Sequence, residues 1–125
     1  MRLLLDTQIV YWSYYEASRL PAEARKLIFE AEMVFVSAAS IWEIAIKSRL
    51  GKINANPKRL AEHIRAAGFH ELPVLAKHAV IVSDLPLYHN DPFDRLLIAQ
   101  AISEPLRFVT ADTELTRYSD LVVTV

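Results

Sequence analysis

The chain opens with a short apolar run that ends abruptly at an acid. Leu3, Leu4 and Leu5 are consecutive, without alternating polar residues, and Asp6 follows directly. A strand with one face in water alternates between apolar and polar residues, whereas a strand buried on both faces reads as a continuous apolar run. The segment from Arg2 to Leu5 is therefore predicted to be a central strand of a parallel sheet with helices on both faces.

The rest of the sequence alternates between strand-like and helix-like segments. Further strands are predicted at residues 33–36, 69–72, 107–110 and 121–125, and helices at residues 8–15, 20–31, 38–50, 58–67, 74–83 and 92–101. Gly51 and Gly68 follow the third and fourth helices, where glycine commonly ends a helix. Leu75, Ala79 and Val82 are predicted to form the apolar face of the fifth. This alternation predicts an α/β fold with right-handed crossovers and a parallel sheet covered on both faces.

Composition narrows the classes of protein that fit. With 125 residues, 53% of them hydrophobic, the chain is predicted to form one domain. The absence of cysteine excludes disulfides, thiolate zinc sites and cysteine nucleophiles. No apolar run has the length of a membrane span, and an acid at position 6 comes too early for a signal peptide, so we expect a cytoplasmic protein. A net charge of −1 argues against nonspecific nucleic-acid binding but does not exclude a nuclease that uses a metal.

Four acids are placed where they can meet. Asp6 ends the first strand, and Asp112 closely follows the strand at residues 107–110. Asp94 lies on the apolar stripe of the helix that begins at Asp91-Pro92, and Glu43 lies in a helix that is apolar nearly all round. Because open α/β sheets bind ligands beyond the carboxyl ends of their strands, we expect these acids to lie at that edge.

Each acid also has a structural interpretation. Asp6 could cap the next helix, and Asp112 could be a turn residue. Asp91 is expected to be an N-cap first and a support for a metal ligand second, with Asp94 in the favourable first turn. Glu43 has the weakest structural interpretation. An ion pair with Lys47, one turn along the helix, contributes only about 0.2–0.5 kcal/mol in an exposed helix, which is too little to offset the cost of burying a charge.

A cluster of four carboxylates requires a counter-charge. Like charges within a few ångströms raise one another's pKa, and a hard divalent cation such as Mg²⁺ or Mn²⁺ relieves the repulsion through oxygen ligands. Such a cation supplies the chemistry of metal-dependent phosphodiester hydrolysis. Thr110 could orient a carboxylate or a water through its hydroxyl, or it could be an ordinary strand residue.

Four motifs together resemble a known family. They are Leu3-Leu4-Leu5-Asp6-Thr7, Ser37-Ala38-Ala39-Ser40-Ile41-Trp42-Glu43-Ile44-Ala45-Ile46-Lys47, Asp91-Pro92-Phe93-Asp94-Arg95-Leu96-Leu97-Ile98-Ala99-Gln100-Ala101 and Val109-Thr110-Ala111-Asp112. In this order and over almost the whole chain, the sequence resembles PIN-domain ribonucleases, and closely the VapC-type toxins of bacterial toxin–antitoxin pairs. Gln8 departs from the pattern, since close relatives often carry His there.

The resemblance implies a single PIN domain over residues 1–125 with a three-layer α/β/α sandwich around a parallel sheet. It implies that Asp6, Glu43, Asp94 and Asp112 form a Mg²⁺-binding site, with Thr110 in the supporting hydroxyl position. It also implies endonucleolytic RNA cleavage by an activated water, a cognate antitoxin that binds across the site, and a homodimer. No membrane partner is expected.

Other functions remain open at this point. The chain could be a catalytically silent PIN-like interaction module, or a phosphoacceptor signalling domain with an Asp at a strand end. A DNA-directed or phosphatase activity on the same site would differ only in substrate.

Several residues other than the acids have more than one interpretation. Arg95 could lie near an RNA phosphate or pair with a neighbouring acid. Lys47, Arg49 and Lys52 could form a phosphate track or a solvated helix end. The aromatic segment from Tyr11 to Tyr15 could be core, stack bases or anchor a partner. None of the four histidines shows metal spacing, and solvated or capping roles are expected, with His89 near enough to the site to be tested.

Overall fold

The computed structural model describes all residues from Met1 to Val125, and its helices and strands alternate as predicted. The strands are β1 (Arg2–Leu5), β2 (Met33–Ser37), β3 (His70–Leu72), β4 (Arg107–Thr110) and β5 (Val122–Thr124). The helices are α1 (Thr7–Tyr15), α2 (Ala22–Glu30), α3 (Ala38–Arg49), α4 (Pro57–Ala66), α5 (Ala76–Asp84) and α6 (Pro92–Ser103). Two 3₁₀ turns, Ala17–Arg19 and Thr113–Tyr118, were not predicted from the sequence.

The sheet places β1 at its centre. All five strands are parallel in the order β3-β2-β1-β4-β5, and Leu3 pairs with Val34 on one side and Arg107 on the other. From β1 the chain proceeds outward to β2 and β3, then crosses back to β4 and β5. The strand order therefore reverses between β1 and β4, which is where open α/β sheets form a crevice at the carboxyl ends of their strands.

The two faces of β1 belong to two separate cores. Leu3 and Leu5 are fully buried on one face, with residues of α1, α2 and α4, while Leu4 is fully buried on the other, with residues of α6. α3 contributes Ile44 to the first core and Ala39 to the second. The continuous apolar run was thus a correct indicator of a central strand, and the three-layer α/β/α arrangement is confirmed.

The predicted apolar face of α5 is wrong. Leu75 is 47% exposed and Ala79 is exposed, whereas His78 is completely buried. The Nδ1 atom of His78 accepts a hydrogen bond of 3.0 Å from the Leu75 amide, and its Nε2 atom lies 2.7 Å from Glu104 Oε2. His78 therefore has the predicted capping role but not the solvated one, because a polar side chain with partners on both ring nitrogens can be buried in place of an apolar one.

Glu104 completes this connection between α5 and the end of α6. Hydrogen bonds from His78 and Lys77 lower the pKa of Glu104 to about 2. The carboxylate therefore stays ionised and keeps both partners over the neutral pH range.

Two of the helices, α3 and α4, are followed by a glycine that ends them. Gly51 and Gly68, which follow α3 and α4, have φ angles of 74° and 81°, a conformation that favours glycine over residues with a side chain. None of the six helices combines the length and the hydropathy needed to cross a lipid bilayer.

Candidate active site

An open cavity of about 660 Å³ lies at the carboxyl ends of β1 and β4. Six acidic residues line it, and one of them, Glu16, directly follows α1. The other five are Asp6, Glu43, Asp91, Asp94 and Asp112, which come from the end of β1, the middle of α3, the start of α6 and the segment after β4. The fold thus brings all four predicted acids, together with Asp91, to one edge of the sheet.

Asp6 is held from both sides of its carboxylate. It is the N-cap of α1, where Oδ1 accepts a hydrogen bond of 2.7 Å from the Thr7 amide, and Oδ2 accepts one of 2.7 Å from the Thr110 hydroxyl. Burial raises the pKa of Asp6 to about 6, although both hydrogen bonds lower it; the charges of Glu43 and Asp112 raise it further. The capping and active-site interpretations therefore apply to the same residue.

Thr110 connects β4 to the acidic site. Its hydroxyl is buried, donates to Asp6 and accepts a hydrogen bond of 3.1 Å from the Asp112 amide. One hydroxyl thereby fixes the orientation of the Asp6 carboxylate and the path of the chain toward Asp112.

Glu43 reaches the cavity from α3, which begins at the N-cap Ser37. Its side chain is 9% exposed, and Oε2 lies 3.0 Å from the Nζ atom of Lys47. The other oxygen, Oε1, is buried and has no hydrogen-bond partner. An unpaired buried carboxylate oxygen is costly, so Glu43 is suited to hold a cation in addition to Lys47.

Asp91 and Asp94 have different roles at the start of α6. Asp91 is the N-cap, and its Oδ1 accepts hydrogen bonds from the Phe93 and Asp94 amides at 2.8 and 3.2 Å. This leaves the Asp94 carboxylate free to face the cavity. Burial raises the pKa of Asp94 to about 8, with further contributions from the charges of Asp6, Asp91, Glu43 and Asp112. The predicted N-cap role of Asp91 is confirmed.

Asp112 and His89 complete the rim. Asp112 Oδ1 accepts a hydrogen bond from the Glu114 amide at 3.0 Å, so Asp112 is also the N-cap of the second 3₁₀ turn. His89 Nε2 lies 3.4 Å from Asp112 Oδ2 and 3.7 Å from Asp94 Oδ2. The three side chains are close enough together to share a metal ion.

The hydrogen bonding of His89 favours a different role from metal binding. Its Nδ1 atom accepts a hydrogen bond of 3.1 Å from the Asp91 amide, so the proton of the neutral ring is assigned to Nε2. A protonated nitrogen has no lone pair for a metal, and we therefore assign the Nε2–H of His89 as a polar neighbour of the Asp94 and Asp112 carboxylates and not as a metal ligand. In the sequence, the position of His89 two residues before the N-cap Asp91 is the signal that places this side chain beside the acids.

The predicted basic residues fall into two groups. Lys47 and Lys52 line the cavity, whereas Arg49 does not. The predicted pairing of Arg95 with an acid is wrong, because this side chain is buried and donates to the carbonyl oxygens of residues 82, 85 and 86 and to the hydroxyl of Tyr118. Arg95 holds the loop between α5 and α6 in place and does not reach the cavity.

A Thr110→Val substitution tests the link between β4 and Asp6. Valine keeps the branched shape but lacks the hydroxyl whose hydrogen bond lowers the pKa of Asp6, so we expect this pKa to rise above about 6. Titration of the Asp6 carboxyl group by NMR in the metal-free protein measures the change. The Thr110→Ser variant retains the hydroxyl and serves as the control. An unchanged pKa in the Val variant would contradict the role of Thr110.

Comparisons with known proteins match nearly the whole chain. Residues 3–121 match the family model described as PIN domain. The chain is 37% identical over 120 residues to Ribonuclease VapC22 from Mycobacterium tuberculosis, an alignment that covers 90% of this chain and 88% of that protein.

Solved structures share the fold. VapBC2 from Rickettsia felis, solved bound to a DNA fragment from its promoter, has a TM-score of 0.70 at 15% identity, covering 100% of this chain and 98% of that one. FitAcB from Neisseria gonorrhoeae has a TM-score of 0.68 at 21% identity, covering 100% and 97%. A toxin–antitoxin complex from Klebsiella pneumoniae has a TM-score of 0.68 at 18% identity, covering 98% and 96%.

Proposed function

This chain belongs to the PIN domain family, and we propose that it is a Mg²⁺-dependent endoribonuclease, the toxin of a type II toxin–antitoxin pair. The proposal rests on one observation: a single cavity is lined by Asp6, Glu43, Asp91, Asp94 and Asp112, which come from four segments of the chain. Ribonuclease VapC22, which is 37% identical to this chain over the aligned residues, supports RNA as the substrate.

The donor set fits a hard divalent cation. Asp6, Glu43, Asp94 and Asp112 offer only carboxylate oxygens, the ligands preferred by Mg²⁺ and also accepted by Mn²⁺. The pKa values of Asp6 and Asp94 are raised by burial and by repulsion from neighbouring acids, and a bound cation would stabilise both carboxylates in their charged form. The unpaired Oε1 atom of Glu43 could also bind this cation. When bound, such an ion lowers the pKa of a water and offsets the charge of the phosphodiester.

The protein's own residues have distinct roles in this proposal. The four acids hold the ion directly or through water, and Thr110 fixes the orientation of one of them, Asp6. Asp91 caps α6 so that Asp94 faces the cavity. Lys47 and Lys52 lie where they can contact phosphates of the substrate, because both line the same cavity as the acids.

The partners proposed follow from the relatives. One solved structure of this fold is a toxin–antitoxin complex from Klebsiella pneumoniae, and we propose that a cognate antitoxin covers the acidic cavity of this chain. We further propose that residues 1–125 form a single PIN domain, that the protein acts as a homodimer and that it works in the cytoplasm.

The phosphoacceptor alternative is disfavoured by the surroundings of Asp6. A phosphoacceptor domain carries adjacent acids after its first strand and a lysine after a late strand. Here Asp6 is followed by Thr7 and Asp112 by Thr113, and the lysines that line the cavity belong to α3 and the segment after it. The two hydrogen bonds that Asp6 accepts fix the orientation of its carboxylate, as a metal ligand requires.

Cleavage of single-stranded RNA in Mg²⁺, with and without EDTA, tests the function. We expect EDTA to remove cleavage, and Asp6→Asn and Glu43→Gln each to lower its rate by about 100-fold or more, a loss typical of removing a key charge-stabilising group. Asp120→Asn is the matched control, because Asp120 is exposed and lies outside the cavity. Equal cleavage by all variants, or full cleavage in EDTA, would contradict the proposal.

A further inference from the structure

The cavity that contains the acids has a second wall of different chemistry. Tyr11 and Trp12 of α1, Arg19 of the following 3₁₀ turn, and Lys47 and Lys52 at and beyond the end of α3 line this wall. The wall therefore combines aromatic rings with cations, and Glu16, which also lines the cavity here, is paired with Arg19.

The volume of the cavity exceeds what a metal site requires. It measures about 660 Å³, while one water occupies about 30 Å³ in the liquid and pockets for small organic ligands range over about 300–1,000 Å³. Space for a nucleotide thus remains beside an ion and its waters.

Arg19 is fixed over the aromatic part of the wall. Its guanidinium carbon lies 5.5 Å from the centre of the Trp12 ring, and its Nη1 atom is 3.0 Å from Glu16 Oε2. The Arg19 side chain is still 63% exposed. A planar cation held in this way while remaining accessible can stack on a base or contact a phosphate.

We propose that Tyr11, Trp12 and Arg19 form a nucleotide subsite that holds a base of single-stranded RNA next to the scissile phosphate, with Lys47 and Lys52 contacting the adjoining backbone. Single-stranded RNA is recognised by stacking of unpaired bases on aromatic rings and guanidinium planes, with cations along the backbone. The subsite rests on the proposed ribonuclease function and adds to it a determinant of substrate binding.

The composition of the cavity fits RNA as its occupant when the proposed antitoxin is not bound. Only 5 of its 16 lining residues are hydrophobic, and two of these are the aromatic residues Tyr11 and Trp12. The lining also includes three cations, Arg19, Lys47 and Lys52, and single-stranded RNA is held by cations along its backbone and by aromatic faces against its bases.

Two substitutions with matched controls test the subsite. Tyr11→Leu removes a ring but keeps an apolar side chain, and Arg19→Ala removes an exposed cation. Phe29→Leu and Arg59→Ala make comparable changes at exposed positions outside the cavity. We expect Tyr11→Leu and Arg19→Ala each to weaken binding of a fluorescein-labelled RNA hexanucleotide by about tenfold in EDTA, measured by fluorescence anisotropy, since one stacked base contributes at about this level.

Hydrolysis of methyl p-nitrophenyl phosphate, a diester without a nucleobase, separates the subsite from the acidic centre. We expect Tyr11→Leu and Arg19→Ala to raise the KM for RNA about tenfold and to leave hydrolysis of this small diester unchanged. Asp6→Asn should lower the rate of cleavage of both substrates by about 100-fold or more. Circular dichroism of each variant confirms its folding, and Tyr11→Phe, which retains the ring, should bind RNA like the unmodified protein.

The outcomes distinguish the two hypotheses. If Asp6→Asn cleaves RNA at the rate of the unmodified protein, the ribonuclease proposal fails. If Asp6→Asn is inactive but Tyr11→Leu and Arg19→Ala bind RNA as well as their controls, the subsite alone is overturned. The subsite is also overturned if these variants lose affinity for an antitoxin while RNA binding is unchanged, because the wall would then be a protein contact.

Discussion

Asp94→Asn is expected to abolish RNA cleavage and, at the same time, to stabilise the metal-free protein at neutral pH. The side chain of Asp94 is only 19% exposed and its carboxylate faces four other acids of the site. Asparagine has nearly the same shape but no charge. The substitution therefore removes a proposed cation ligand and also removes electrostatic repulsion from the folded state.

The direction of the stability effect follows from the raised pKa. Asp94 has a pKa of about 8 in the folded chain, against 3.8 as the reference for an unperturbed aspartate. Between these two values the folded state binds a proton that the unfolded state has released, so the free energy of unfolding falls as the pH rises. The loss of folding stability caused by the Asp94 carboxyl group is therefore largest above pH 8, and it is absent below the pKa of this group in the unfolded chain. The Asp94→Asn variant lacks this contribution, because an amide side chain does not titrate in this range.

Thermal unfolding in EDTA at several pH values between 5 and 8.5 measures this effect. We expect the variant to exceed the unmodified protein by about 1–2 kcal/mol at pH 8, a figure reduced for partial solvent screening, and by less at pH 5. Mg²⁺ should raise the melting temperature of the unmodified protein but not that of the variant, because a ligand stabilises the state that binds it. A variant that is less stable at pH 8, or one that cleaves RNA normally, would contradict the proposed role of Asp94.

Features set by neighbours in the sequence could be predicted. The run Leu3 to Leu5 identified the central strand because a buried strand needs apolar residues on both faces, whatever covers them. Asp91 followed by Pro92 identified the start of α6 because N-cap and first-turn preferences depend on the local backbone. The convergence of the acids could be expected because parallel strands end at one edge of a sheet, and Asp6 and Asp112 each come directly or closely after a strand.

Features set by tertiary partners could not be predicted. His78 replaces an apolar residue in the interface of α5 and α6 only because Glu104 and the Leu75 amide satisfy its two nitrogens. The Nε2 atom of His89 faces the acids because the Asp91 amide donates a hydrogen bond to Nδ1 and thereby sets the orientation of the ring. Such hydrogen bonds depend on the path of loops, and no period of hydrophobicity in the sequence encodes them.

Arg95→Met is expected to destabilise the fold without removing a contact to RNA. Arg95 is 9% exposed, and its guanidinium donates to the carbonyl oxygens of Val82, Leu85 and Pro86 at 2.7–3.3 Å and to the hydroxyl of Tyr118 at 3.2 Å. Methionine fills similar space but leaves these acceptors without a donor. Hydrogen bonds to a charged group contribute about 1.5–3 kcal/mol each, and unsatisfied buried acceptors cost about 1–3 kcal/mol. The loss should therefore reach about 3 kcal/mol or more.

Arg95→Lys separates the charge of this residue from its geometry. Lysine keeps the positive charge but lacks the planar fork that reaches several carbonyl groups at once, so we expect it to recover only part of the stability. For a chain of this size, a loss of about 3 kcal/mol corresponds to a fall of roughly 10 °C in melting temperature, measurable by calorimetry. RNA affinity at a temperature where the variants are folded should stay within about twofold of the unmodified protein, because Arg95 does not line the cavity. A stable Met variant with weakened RNA binding would instead place Arg95 at the RNA, as one interpretation of the sequence allowed.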